Sequence, residues 1–304
     1  MDLSYNAVYR MVSFSMKKFI KYYISIAYFT LSLLIVNGDA AYAGYENASV
    51  RYNEPIQSKK MALQYDVYAG GFKALNAQLS LDLDKKAYDM ELSAETEGFI
   101  GTLFPWKGDY STSGHAEKGS LIPSIYTATS TWRSKSNTTE MSYDPNGKLL
   151  KTTQQDGNKT TVNRDIDEGL SRDAVDMLTG ALMMFQNTKN KQTCKGSFPV
   201  FDGKRRFNIV LKDDGKELIS KNKYSTFSGE ALRCTVKVEP VAGFKEKDKS
   251  RGWMAIQTHT EKHHKAPTIW LAKLENKGPI VPVRMEIASD YGSVVAHLSN
   301  KASD

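Results

Sequence analysis

The sequence predicts a mainly β fold of the α+β kind. It reads as a curved antiparallel sheet or half-closed β-barrel of about ten to twelve strands wrapped around one helix. Three observations carry this reading. Apolar and polar residues alternate over many short runs between Ala62 and His297. The runs are separated by brief Gly-, Asn-, Asp- or Pro-containing turns, which is how antiparallel neighbours connect. After residue 45, one long stretch alone, 171–188, has a strong helical period.

In chain order, Leu63, Tyr65 and Val67 alternate with polar neighbours, and Gly70-Gly71 supplies a turn. Leu75, Ala77, Leu79, Leu81 and Leu83 form an amphipathic strand. Asp84-Lys85-Lys86 turns the chain into Tyr88, Met90, Leu92 and Ala94. The segment 98–106 breaks the pattern: Phe99, Ile100, Leu103 and Phe104 have helical spacing, and Pro105 stops it. Further strands are predicted over 107–113, 125–132 and 138–143, then an exposed hairpin over 149–162.

The central helix is predicted over 171–187. Ala174, Val175, Met177, Leu178, Ala181, Leu182, Met184 and Phe185 fill one arc of its circumference. Arg172, Asp173, Asp176, Thr179, Gly180 and Gln186 fill the other, with only Met183 out of place. Ser171 is the expected N-cap, with Asp173 and Asp176 in the favourable first turn. So wide an apolar face suits a helix lying in a concave sheet. A second β set follows over 197–201, 207–211, 224–227, 232–239, 253–258, 268–275, 281–288 and 292–297. Asp202-Gly203 is its clearest hairpin turn.

The N-terminus has a targeting pattern. Met16 (an alternative start), Lys17, Lys18 and Lys21 precede an apolar run and a small-residue site, so residues 1–43 read as a signal peptide cleaved after Ala43. The apolar run is short for a membrane span of about 20 residues. Residues 44–60 read as a flexible lead-in and 61–298 as a single β-rich domain, and the expected location is the periplasm. The only cysteines, Cys194 and Cys234, form the expected disulfide of an oxidising compartment.

The chain's net charge is +7, with signs interspersed. That balance, together with export, excludes a nucleic-acid protein and leaves room for peripheral contact with an anionic membrane.

Several stretches together resemble a family of exported bacterial envelope proteins known as domain of unknown function 3108. They are Tyr65-x-x-Tyr68-x-Gly70, Ser113-Gly114, Gly119-x-x-x-Pro123, Asp176-x-Leu178-Thr179, the run from Phe201 to Phe207, and the hairpin over 270–284. The resemblance covers roughly 60–298. It implies a periplasmic protein with a curved sheet around a helix, similar in outline to lipoprotein-carrier folds that hold acyl chains on an apolar concave face. It implies no catalytic residues, and the carrier analogy is one of fold alone.

No nucleophile elbow or phosphate loop stands in the chain, and the paired acids Asp82/Asp84, Asp165/Asp167 and Asp213/Asp214 fall in turns or at strand ends, where exposed acids are ordinary. His259, His263 and His264 with Glu261 form the densest ligand group, but their spacing matches no metal motif, so no catalytic residue, metal or cofactor is assigned. The ligand-lining candidates are Phe99, Leu103, Phe104, Trp106, Leu178 and Leu182. Lys204, Arg205 and Arg206 at a hairpin tip are the anion-contact candidates. The leading expectation is a non-catalytic periplasmic envelope protein that binds a hydrophobic ligand, a lipoprotein or another envelope protein in the sheet's concavity. The competing expectations are a metal-dependent hydrolase using His259, His263 and His264, and a scaffold that binds partners through its surface.

Overall fold

The computed structural model describes residues 59–117, 120–248, 257–258, 265–275, 278–289 and 292–302. The expected signal peptide, most of the lead-in, and His259, His263 and His264 lie outside the described residues.

The first half contributes β1 (Lys59–Ala69), β2 (Phe72–Leu83), β3 (Ala87–Thr96), β4 (Trp106–Glu117), β5 (Ser120–Trp132), β6 (Lys135–Tyr143), β7 (Leu149–Asp156) and β8 (Lys159–Asn163). The second contributes β9 (Gly196–Phe201), β10 (Arg206–Ile219), β11 (Gly229–Ala242), β12 (Thr268–Lys273), β13 (Ile280–Ser289) and β14 (Gly292–Ala302). The α-helical segments include α1 (Gly98–Leu103), α2 (Glu168–Ser171) and α3 (Met177–Lys191), with a 3-10 turn at Glu246–Asp248.

All the strands join one antiparallel sheet in the lateral order β8-β7-β6-β5-β4-β3-β2-β1-β14-β13-β12-β11-β10-β9. Two meanders are thus sewn together by β1 against β14, while the consecutive strands β8 and β9 form the two outer edges. Alternation decides which face turns inward. Leu75, Leu79, Leu81 and Leu83 of β2 are buried, and so are their cross-strand partners Leu63, Met61, Met90 and Tyr88.

The sheet has to roll. The α3 helix packs against β4 and β5 in one arm and against β9 and β13 in the other. In the lateral order β5 and β9 are ten positions apart. A flat sheet would hold them roughly 50 Å apart, beyond the reach of one helix. The roll stops short of a barrel, because β8 and β9 do not pair. The Asp202-Gly203 turn brings the arms together against β6 and β7. There Gln154 Nε2 donates to the Gly203 carbonyl at 3.4 Å. A Cβ on Gly203, whose φ is +92°, would come within 2.8 Å of Thr139 Cγ2.

Several expectations need correction. The helix begins at Met177, not at 171, and its N-cap is Asp176 rather than Ser171. Asp173 at φ +58° breaks the backbone between α2 and α3. Ala174 and Val175 then run extended: Val175 N donates to Pro199 O at 3.2 Å and Val175 O accepts from Phe201 N at 2.9 Å, covering part of the free edge of β9. The polar arc of the helix is itself partly interior, with Asp176, Thr179 and Gln186 buried.

The run 224–227 is no strand. The Asn222 side chain accepts from Tyr224 N and Ser225 N, an Asx turn that holds the chain in a loop. Gln257 and Thr258, the described end of the 253–258 run, are helical. Lys59 and Lys60, read as lead-in, already belong to β1.

Candidate functional site

Two polar features mark the interior around α3, one closed and one open. The closed one is Asp176, fully buried at the N-terminus of the helix. Its Oδ1 accepts from Leu178 N at 3.0 Å and Thr179 N at 2.9 Å. Its Oδ2 accepts from the hydroxyls of Thr179 at 2.6 Å and Thr112, on β4, at 3.1 Å. Tyr88 on β3 completes the group with a 2.9 Å hydroxyl contact to Thr179.

Burial raises the Asp176 carboxyl to a pKa of about 6 against the lowering effect of these four bonds. The hydroxyls of Tyr126 and Tyr143 are pushed up by burial and, secondarily, by the Asp176 charge. With every bond satisfied inside the core, the group fixes where the helix starts against β4.

The open feature is a cleft of about 990 Å³ at the seam where the sheet fails to close. One wall comes from the start of β5 and the β6–β7 turn, through Leu121, Ile122, Pro123 and Leu149. The facing wall comes from β9 and β10, through Ser197, Pro199, Val210 and Leu211. Ala174, Val175 and Met183 close its inner side. Met183 therefore points away from the apolar arc because it faces the cleft.

The cleft's polar border carries Lys148, Arg172 and Arg206 with Glu168, Asp173 and Glu239, equal numbers of each sign. Arg206 is held in place by donating through Nη1 to the Arg172 carbonyl, and Arg172 pairs with Glu168.

The predicted ligand-lining residues are not gathered at this cleft. Leu178 and Leu182 are buried in the core. Trp106 is buried too, its Nε1 donating to Ser130 Oγ at 3.0 Å. Phe99, Leu103 and Phe104 belong to the α1 turn, on the far side of β5 from Leu121. Of the basic trio, Arg206 alone borders the cleft. Arg205 is engaged by Asp202 through both Nε at 2.8 Å and Nη2 at 2.6 Å, and its guanidinium lies over the Phe244 ring; Lys204 is exposed.

The disulfide joins Cys194, between α3 and β9, to Cys234 on β11. No cluster of His, Cys, Asp and Glu suited to a metal occurs among the described residues.

Sequence reading missed the Asp176–Thr112–Thr179–Tyr88 group and the cleft walls. Met183, out of phase in its own helix, was the one local signal for the latter.

The class defined by these features is a rolled, unclosed antiparallel sheet around a buried helix, with an amphipathic cleft at its seam. A family model described as "Protein of unknown function (DUF3108)" matches residues 64–299, and the chain belongs to that family. No curated protein matches. Among solved structures, the chain is similar to the crystal structure of a β-barrel-like protein of the domain of unknown function DUF1849 from Brucella abortus. The two share 9% identity at a TM-score of 0.44, over 82% of this chain and 99% of that one.

Proposed function

We propose that this is an exported, non-catalytic envelope protein that holds an acyl-chain-bearing molecule, a lipid or a lipoprotein anchor, in the seam cleft. The observation that carries this reading is the cleft itself. Its volume of about 990 Å³ lies at the upper end of small-molecule sites, and its walls are more apolar than polar below a charge-balanced border. Apolar walls take hydrocarbon; paired opposite charges at the border take a polar head without leaving a buried charge unpaired. The Cys194–Cys234 disulfide supports an oxidising compartment, which for a bacterial envelope protein is the periplasm. No described helix is long and apolar enough to cross a membrane.

Native mass spectrometry of the protein released gently from the compartment, followed by solvent extraction, tests the reading. The expected result is a co-purifying amphiphile. Ser197 is exposed on β9 and borders the cleft, so Ser197→Trp fills the cavity without entering the core. That variant should lose the bound species at least tenfold while its thermal midpoint stays within about 1 °C, as befits a surface change of well under 1 kcal/mol. An unliganded wild type after gentle release, or full occupancy in Ser197→Trp, overturns the reading.

A further inference from the structure

Away from the cleft, two phenylalanines of the described residues stand in solvent: Phe72 is 75% and Phe99 70% exposed. They share one end of the sheet. Phe72 opens β2 directly after the Gly70-Gly71 turn, and Phe99 sits in α1, which leaves β3 and packs back against β2. Glu97 N donates to Ala74 O at 3.0 Å, tying the two turns together. The α1 sequence, GFIGTL, is almost wholly apolar, yet none of its residues is buried. A turn of that composition gains nothing from standing outside the core unless something else covers it.

The neighbouring turns at this end carry a basic excess. Arg133 N donates to Pro105 O at 2.9 Å, which sets the β5–β6 turn beside the exit of α1. Gly157 N donates to Ser136 O at 3.3 Å, which brings the β7–β8 turn alongside. Arg133, Lys135 and Lys159 of these turns are all exposed. Of the nearby acids, Glu97 is paired with Lys73 and Asp109 with Lys107, leaving Glu95 and Asp156.

We propose that this end docks on an anionic membrane surface, with Phe72 and Phe99 entering the headgroup–acyl boundary and Arg133, Lys135 and Lys159 meeting the phosphates. Isolated aromatic tips on separate turns, bordered by cations, complement a fluid anionic surface. They offer a second protein no continuous face. The docking end is opposite the end of β5 that borders the cleft, so the proposal stands independently of ligand binding.

The test is sedimentation of the exported chain with vesicles of phosphatidylglycerol and phosphatidylcholine in equal parts, against phosphatidylcholine alone. Wild type should partition onto the anionic vesicles. Phe72→Ser with Phe99→Ser should weaken partition at least tenfold with unchanged circular dichroism, since both side chains are exposed. Lys135→Glu with Lys159→Glu should remove most of the salt-sensitive part. Three results overturn the proposal: no partition by wild type, equal partition by the serine variant, or a concentration-dependent dimer that the serine variant abolishes.

Discussion

At the scale of the residue, Asp176 concentrates the most consequence in one side chain. It caps α3, and it brings β4 to the helix through Thr112. Its folded pKa of about 6 lies above the ordinary value of 3.8. The folded state therefore binds this proton more readily than the unfolded chain, and the group favours folding most below pH 4. That contribution falls as pH rises from 4 through 6, by ~3 kcal/mol, and is flat above. Asp176→Asn keeps an acceptor for the backbone and cannot titrate. Denaturant midpoints measured from pH 4 to pH 7.5 should show wild type losing that margin relative to Asp176→Asn as pH rises. Parallel profiles for the two proteins would mean that the carboxyl is not held as described.

At the scale of the element, α3 is held by close approach as well as by its buried apolar arc. Gly180 stands against β9, and a Cβ there would lie 2.7 Å from Val200 Cγ2. Gly180→Ala ought to gain about 1 kcal/mol from helix propensity, but overpacking against a fully buried valine costs about 1–3 kcal/mol. The net expectation is destabilisation by up to about 2 kcal/mol. Adding Val200→Ala should relieve the clash, so that a double-mutant cycle in urea gives a favourable coupling of about 1 kcal/mol or more. Additive effects would place the helix farther from β9 than described. The Cys194–Cys234 disulfide, which ties the segment between α3 and β9 to β11, spans a sequence separation of 40 and, in the chain-entropy view, adds about 4 kcal/mol.

The same elements show what sequence could and could not carry. Strict alternation over Leu75–Leu83 marks a strand because both its neighbours are strands with one buried face. Helical spacing places the start of α3 too early because Ala174 and Val175 fall in phase with the helix, while the Val175 backbone pairs with β9 and Ala174 N donates back to Ser171 O. Burial of Asp176 and Thr179 was invisible because their partners, Thr112 and Tyr88, are more than sixty residues away. The cleft failed to register for the same reason: Leu121, Leu149 and Val210 converge only once the sheet has rolled.

At the scale of the whole molecule, the order of strands carries a consequence for how the protein comes into being. The first described strand and the last lie side by side in the middle of the sheet, with Ala62 opposite Ala302 and Ala69 opposite Val294. A nascent polypeptide can raise either flank early, since each is a run of local hairpins. Its central stitch has to wait for residues 292–302 to be made. Until then β1 presents a raw margin, the kind of surface that escort proteins cover and proteases find. Released chains truncated before 292 should accordingly be cut by protease within 59–69, and those that include 292–302 should resist. Equal resistance in both would mean that β1 finds cover without its last partner.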